Sequence, residues 1–330
     1  MAEPQQEMTV EEWLALLDKD EDGHLTVDKV KTHFANASDS AALLIAMGAR
    51  TIDEAVTRLY EVIDTDKDGK ISREELRRGF GPLKMRGQLC MEPTRGLIPH
   101  NFFRLWHEKR SAHLEGTREW AFAEVQRWLD DAASAQQLFW LMGGGGTGKS
   151  VLTAALLERL FGRVAAWHFC RHDNPQASAP AALLRSLAAM LCHRLPGYAE
   201  ALGDAPAETV TDPKELFEAL FATPLAPLAV PAAPLLIIVD ALDELPREAQ
   251  KPLLAVIAGQ LSQLPPWLRL FVTSREEAQI QAAFRAFKAK ELRADEEKNR
   301  ADVAVSLRKS AAELVESEVR MTDIEADVLR

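Results

Sequence analysis

Gln137-Leu-Phe-Trp-Leu-Met142 runs directly into Gly143-Gly144-Gly145-Gly146-Thr147-Gly148-Lys149-Ser150, and Val151-Leu-Thr-Ala-Ala-Leu-Leu157 follows. The first segment reads as an apolar strand and the last as the opening of a helix. Between them lie Gly143, four free positions and then Gly148-Lys149-Ser150, the spacing of a phosphate-binding loop. Glycines let successive backbone N–H groups turn inward around an anion, and the helix N-terminus adds partial positive charge. Lys149 is a mobile cation able to reach β- and γ-phosphates, and the Ser150 hydroxyl is a hard oxygen ligand for Mg²⁺. A glycine-rich turn without this role is the bland alternative, but strand, loop, lysine and helix coincide here.

Downstream, Leu235-Leu-Ile-Ile-Val239-Asp240-Ala-Leu-Asp243-Glu244 is a buried strand ending in carboxylates. Beside the phosphate loop, such a strand puts Asp240 where it can hold Mg²⁺ directly or through water. Asp243 and Glu244 follow near a γ-phosphate, and either can orient an attacking water, the spacing favouring Asp243. The next strand, Leu268–Thr273, leads to Ser274 and Arg275, and Arg275 is placed to report the γ-phosphate. A helix-capping turn followed by a surface arginine is the competing reading.

From His113 onward the pattern alternates. Trp120, Phe122, Val125, Trp128 and Leu129 recur at helical spacing. Strands are expected at 137–142, 164–170, 235–239, 268–273 and, weakly, 289–292. Helices are expected at 149–161, 179–195, 214–222, 247–264, 276–287 and from 299. Loops fill 196–213 and the proline-rich 223–234. Strands separated by helices imply parallel pairing, hence a doubly wound α/β sheet with the nucleotide at the strands' carboxyl ends.

Residues 8–80 differ, carrying two acidic loops between helix-period segments. Asp64-Thr-Asp66-Lys-Asp68-Gly69-Lys70-Ile71-Ser72-Arg-Glu-Glu75 supplies side-chain oxygens at positions one, three and five. Gly69 makes the turn, Lys70 offers its carbonyl, Ser72 acts through water, and Glu75 closes a Ca²⁺ site in bidentate fashion. Apolar Val56, Leu59, Tyr60, Ile63, Leu76 and Phe80 flank it. The other loop, Asp18-Lys-Asp20-Glu-Asp22-Gly23-His24-Leu25-Thr26-Val-Asp28-Lys29, begins as well, with Asp18, Asp20, Asp22 and the His24 carbonyl as candidate ligands. It ends on Lys29, a cation where the closing carboxylate belongs, so calcium binding there is expected to be weak or lost. Leu25 and Ile71, both at position eight, should pair in a two-strand ladder. This region resembles the EF-hand family, which implies an all-α, calcium-binding lobe.

Composition narrows the function classes. At 330 residues there is room for two cores, and a net charge of -11 supplies no basic stripe for nucleic acid. Residues 1–80 carry 10 Lys+Arg against 18 Asp+Glu, so the acidity is concentrated where cations would bind. Three scattered cysteines point to a reducing, cytoplasmic setting, and the polar, acidic N-terminus reads as no signal peptide. The longest apolar run, 225–239, is interrupted by prolines and too short to span a bilayer. His168, Cys170 and His172 alternate as metal ligands might, but a strand entering a polar turn is favoured because no fourth ligand is in sight.

Taken together, Gly143–Ser150, Asp240-Ala-Leu-Asp243-Glu244 and Thr273-Ser-Arg275 resemble the NACHT family of STAND-type P-loop ATPases. The segments Gly116-Thr-Arg-Glu-Trp120 and Phe169-Cys-Arg-His-Asp173 are also similar to it. The resemblance spans roughly 113–310 and implies an additional strand between the two nucleotide motifs, an ATP/ADP preference, and a signalling switch whose ATP form self-associates. Family members continue into helical, winged-helix and repeat segments. Residues 296–330 are therefore expected to be the start of a helical subdomain of a longer protein. The expected organisation is an EF-hand lobe (8–80), a linker (81–112), a nucleotide domain (113–295) and that helical start. Two functions stand: a calcium-binding, nucleotide-dependent switch that binds Mg-ATP/ADP and hydrolyses ATP slowly, or a calcium-binding protein with a catalytically passive nucleotide scaffold. A GTPase is disfavoured by the lack of an Asn-Lys-x-Asp stretch for reading guanine.

Overall fold

The protein is described from a computed structural model covering residues 17–18, 22–36, 51–76, 91, 93–131, 136–174, 178–286, 289–293 and 302. The chain forms two compact units. One comprises Met1–Glu92 with Asn101–His107, and the other Pro93–His100 with Glu108–Arg330.

In the N-terminal unit, helix Ile52–Ile63 begins where the Thr51 hydroxyl accepts the Glu54 N–H at 3.2 Å. Asp53 and Glu54 in its first turn complement the helix dipole. Ala55, Val56, Leu59, Tyr60 and Ile63 fall on one face at helical spacing, and all are buried. They form one core with Leu17, Leu25, Val30, Phe34, Ile71 and Leu76. Strands β1 (His24–Thr26) and β2 (Lys70–Ser72) pair antiparallel with Leu25 opposite Ile71, as the loop positions required. Helix Val27–Asn36 follows β1. The Tyr60 hydroxyl donates to the Leu25 carbonyl at 2.6 Å, tying the helix before the second loop to the first loop. Phe80 and Asp20 lie outside the described residues.

The second unit is an α/β domain built on five parallel strands in the order β4-β5-β6-β3-β7, flanked by helices. They are β3 (Leu138–Met142), β4 (Val164–Phe169), β5 (Leu235–Asp240), β6 (Leu268–Ser274) and β7 (Lys290–Arg293). The first, second and fourth of these strands are buried at every residue, as continuous apolar runs covered on both faces must be. The edge strand β7 instead alternates half-buried and exposed positions, matching its polar Lys290-Glu-Leu-Arg293 sequence. β5 is not the immediate neighbour of β3, because β6 pairs with both. An extra strand therefore does separate the two nucleotide motifs within the sheet, and the reading of Leu235–Val239 as lying beside the phosphate-loop strand is corrected to one strand removed.

Three local expectations change. The expected loop 196–213 contains helix Tyr198–Leu202, too short for periodicity to reveal, with Tyr198 buried and its hydroxyl donating to the Leu220 carbonyl. Helix Pro213–Phe217 continues through a π-helical turn, Glu218–Ala222, into Thr223–Leu225. The Thr223 N–H reaches back five residues to Glu218, and this widened turn carries the chain past Pro224, which has no N–H to donate. The expected linker contains helix Phe103–Ser111.

The upstream helix Glu119–Asp130 is anchored to the sheet by Arg269 of β6. This arginine is 2% exposed and donates to the carbonyls of Trp128 and Asp131, at the helix C-terminal end. A cation there satisfies terminal carbonyls and complements the helix dipole. Arg269→Met keeps the length but orphans both acceptors. It is expected to lower unfolding stability by about 2 kcal/mol, measured by urea denaturation. A loss within experimental error would show that the anchor is dispensable.

Candidate functional site

Each unit carries one candidate site. In the second acidic loop, carboxylate oxygens of Asp64, Asp66 and Asp68 lie within 4.8 Å of one another, close enough to share one ion. The loop is shaped by its own amides. Gly69 N–H donates to Asp64 Oδ2 at 3.1 Å, Asp68 N–H to Asp66 Oδ1 at 3.2 Å and Lys70 N–H to Asp68 Oδ1 at 2.8 Å. Gly69 adopts φ +81°, the left-handed conformation that the sharp turn needs. Asp64 Oδ1 is buried with no hydrogen-bond partner. An anionic oxygen in that state calls for a cation, and the donor set is all hard oxygen, so the residues fit Ca²⁺.

Glu75 sits at the closing position but faces the loop's ends. Its Oε1 accepts from Thr65 N–H at 2.8 Å and Thr65 Oγ1 at 3.0 Å. Its Oε2 accepts from Ser72 N–H at 3.0 Å and Ser72 Oγ at 2.9 Å. Burial pushes its carboxyl up, but the bonds from Ser72 and Thr65 outweigh this and hold it down at about 2. The Lys70 carbonyl belongs to β2, so the ladder fixes its place in the loop.

The first loop repeats two of these amide bonds, the third falling on Asp20 outside the described residues. Gly23 N–H donates to Asp18 Oδ2 at 2.8 Å and His24 N–H to Asp22 Oδ1 at 2.8 Å. Its last residue differs: the Lys29 ammonium bonds Asp18 Oδ1 at 2.9 Å, Asp22 Oδ1 at 2.7 Å and the His24 carbonyl at 2.9 Å.

In the α/β unit the phosphate loop lies at the carboxyl end of β3. Gly146 and Gly148 adopt φ of +75° and +80°. Helix Lys149–Arg159 begins after Gly148 with no side-chain cap, which leaves its first amides facing the loop. The Lys149 ammonium bonds the Gly143 and Gly144 carbonyls at 2.7 and 2.9 Å, and Thr147 Oγ1 bonds the Gly144 carbonyl at 3.0 Å. Gly145 passes under Arg275, whose guanidinium carbon would stand 4.0 Å from a Cβ at that position.

Asp240 ends β5 at 2% exposure. Its Oδ1 accepts from Thr153 Oγ1 at 2.8 Å and Thr273 Oγ1 at 2.7 Å, and the Ser150 side chain lies near its carboxylate. Burial raises its carboxyl above the usual range, with the nearby Ser150, Thr273 and Thr153 hydroxyls opposing. Ser150 and Asp240, the two expected Mg²⁺ ligands, are thus on the same side of the site, and both offer hard oxygens that fit that ion. The chain then turns through Ala241 at φ +55°, and its N–H is received by Thr273 Oγ1 at 2.8 Å. A left-handed alanine is strained, and the threonine holds it.

Asp243 and Glu244 follow in a 3₁₀ turn. Asp243 is bound on both oxygens by Arg275, with the backbone N–H to Oδ1 at 3.0 Å and Nε to Oδ2 at 3.1 Å. Glu244 Oε2 lies 3.2 Å from both the backbone nitrogen and Nδ1 of His172. The structure therefore gathers Asp240, Asp243 and Arg275 at adjoining strand ends and turns Glu244 toward His172. His168 and Cys170 are buried whereas His172 is exposed, so these three do not form one ligand set. Burial, reinforced by Asp240, Glu244 and Asp243, pushes the Cys170 thiol well up.

Two residues escaped the sequence reading. Arg118, itself left-handed at φ +63°, bonds the Thr147 carbonyl at 2.5 Å, and its guanidinium would stand 3.0 Å from a Cβ on Gly148. Asp302 accepts from the Arg118 N–H at 2.9 Å and from Trp120 Nε1 at 3.1 Å. The Gly116–Trp120 stretch carried a resemblance but no role, and nothing local marks Asp302.

Comparison with known families agrees with this division. Residues 7–81 match the EF-hand domain pair, and residues 116–275 match the family described as Nephrocystin 3, N-terminal, a NACHT-like region. The N-terminal region is thus an EF-hand calcium-binding domain, and the five-stranded parallel sheet with its flanking helices is compatible with a P-loop NTPase-like fold. Among the described residues, no helix is long and apolar enough to cross a membrane.

The depressed Glu75 carboxyl has a pH signature. Its folded value of about 2 lies below the ordinary 4.5, so its stabilisation is complete above the ordinary value and lost as pH falls from there towards the folded one. An acid titration in chelator should show the N-terminal lobe weakening across that window, and Glu75→Gln should remove this component. Matching profiles for the two proteins would show that the Thr65 and Ser72 bonds do not stabilise the loop.

Proposed function

We propose that the α/β domain binds Mg-ATP and Mg-ADP at Gly143–Ser150 and hydrolyses ATP slowly, making the whole chain a calcium-binding, nucleotide-dependent signalling switch. The buried Asp240 carboxylate, bonded to Thr153 of the helix that opens at Lys149-Ser150, carries the reading. Mg²⁺ would be held by Ser150 and Asp240 and would screen the phosphate charge. Gly143, Gly144, Gly145, Gly146, Thr147 and Gly148 would turn their amides to the phosphates, with Lys149 as the mobile cation.

Asp243 is the group to orient an attacking water, with Glu244 second. Arg275 holds both oxygens of Asp243 and lies over Gly145 of the loop. A γ-phosphate competes with Asp243 for that guanidinium, so the arginine would exchange one anion for the other and release the carboxylate. Turnover is slow in this scheme because the base is released only when the phosphate is in place. The scaffold alternative draws on the same pair: with Asp243 on Arg275 and Glu244 on His172, both candidate bases are already engaged. Self-association of the ATP form and a cytoplasmic setting complete the proposal.

Lys149→Ala should lower affinity for both nucleotides by about 100-fold or more in a fluorescent-nucleotide titration. Unchanged affinity would sink the loop assignment. Asp243→Asn should keep binding and lower single-turnover hydrolysis by about 100-fold; equal hydrolysis would transfer the role to Glu244, and no hydrolysis in the parent would favour the scaffold.

Coupling is tested by titrating Mg-ATP and Mg-ADP in chelator and again in saturating calcium. Linkage requires any change in nucleotide affinity to be matched by an equal change in calcium affinity. A shift of about fivefold or more is expected for a switch. Identical curves would mean two independent modules.

A further inference from the structure

Among the described residues the two acidic loops share two internal amide bonds and differ at the closing position, which is Lys29 in one and Glu75 in the other. Asp18 and Asp64 open their loops, each receiving the N–H of the turn glycine on Oδ2, at 2.8 and 3.1 Å. Asp22 and Asp68 each receive the following amide on Oδ1 at 2.8 Å. In the second loop Asp64 Oδ1 is buried without a hydrogen-bond partner. In the first, the equivalent Asp18 Oδ1 is held by the Lys29 ammonium at 2.9 Å. That same ammonium takes Asp22 Oδ1 at 2.7 Å and the His24 carbonyl at 2.9 Å. These are three of the oxygens, at loop positions one, five and seven, that an EF-hand offers its ion.

We propose that the Lys29 ammonium is the resident cation of the first loop, so that this hand is held in its ion-bound arrangement by the chain itself and the lobe takes up a single calcium ion, at Asp64–Glu75. The chemistry is suited to it. An ammonium has donors that can face three oxygens at once, and at 18% side-chain exposure it is largely withdrawn from water beside an 8% exposed Asp18. The hydrogen bond from Lys29 is the main reason the Asp22 carboxyl lies below its ordinary value.

The consequence reaches the second loop. β1 is fixed by the closed first loop, its Leu25 stands opposite Ile71 of β2, and its Leu25 carbonyl receives the Tyr60 hydroxyl from the helix leading into Asp64. Half of the pair is therefore preformed, and calcium binding lacks the two-site cooperativity of a lobe with two ion-binding loops.

The test is calcium calorimetry on the full chain with a swap of closing residues. The parent should bind one ion, and Glu75→Gln should bind none at calcium up to about 100 µM. The double variant Lys29→Glu with Glu75→Gln should regain one ion, now in the first loop, and Lys29→Glu alone should bind two. In chelator, Lys29→Met should melt lower than the parent by about 5 °C, since it leaves Asp18 and Asp22 without their cation. Two ions of similar affinity in the parent, or an ion retained by Glu75→Gln and lost on adding Asp18→Asn, would overturn the proposal. So would an unchanged chelator melt for Lys29→Met. A parent that bound no calcium would instead count against the second-loop site, while the chelator melt would still decide the role of Lys29.

Discussion

A single buried carboxylate organises the α/β domain. Asp240 ends β5 one strand away from β3, yet it is joined to the helix after the glycine-rich loop through Thr153 and to β6 through Thr273. A carboxyl at this depth needs hydrogen-bond partners, and the hydroxyls of Thr153 and Thr273, from two other elements, supply them. Thr273 also receives the amide of left-handed Ala241, so a group that satisfies the carboxylate also holds the turn that delivers Asp243 and Glu244. The geometry of the site and the stability of the sheet's carboxyl edge are consequently one problem with one solution.

The N-terminal lobe solves a related problem of concentrated negative charge. Each loop crowds aspartates around a centre, and that centre needs positive charge. The second loop offers the centre to a free ion, with a buried Asp64 oxygen awaiting it. The first fills it with the side chain of its own twelfth residue. A tethered cation has no dependence on concentration, so the two loops differ in what they can sense while sharing a core and a β-ladder.

Much of this was legible in the order of residues. The apolar run before Gly143 became β3, the run before Asp240 became β5, and the pairing of Leu25 with Ile71 followed from equal loop positions. These features are local, set by hydrophobic period, by glycines at required φ angles and by ligand spacing within a single loop. What escaped was either short or distant. Helix Tyr198–Leu202 is five residues, and the continuation through Pro224 depends on a π-helical turn with no sequence signature.

Sequence alone singled out the candidate groups: a lysine and a serine at the end of a glycine loop, a carboxylate at a strand end, and one acidic loop with a closing glutamate against one without. Tertiary structure decided which of those groups meet. It inserted β6 between β3 and β5, paired Asp243 with Arg275 and Glu244 with His172, and laid Arg118 on the glycine-rich loop under the hold of Asp302. It also turned Lys29 inward, onto oxygens seven and eleven residues earlier in the chain. Residue type and spacing follow the chain, whereas ion pairing depends on distance through space and on exclusion of water, and only the packed fold sets those.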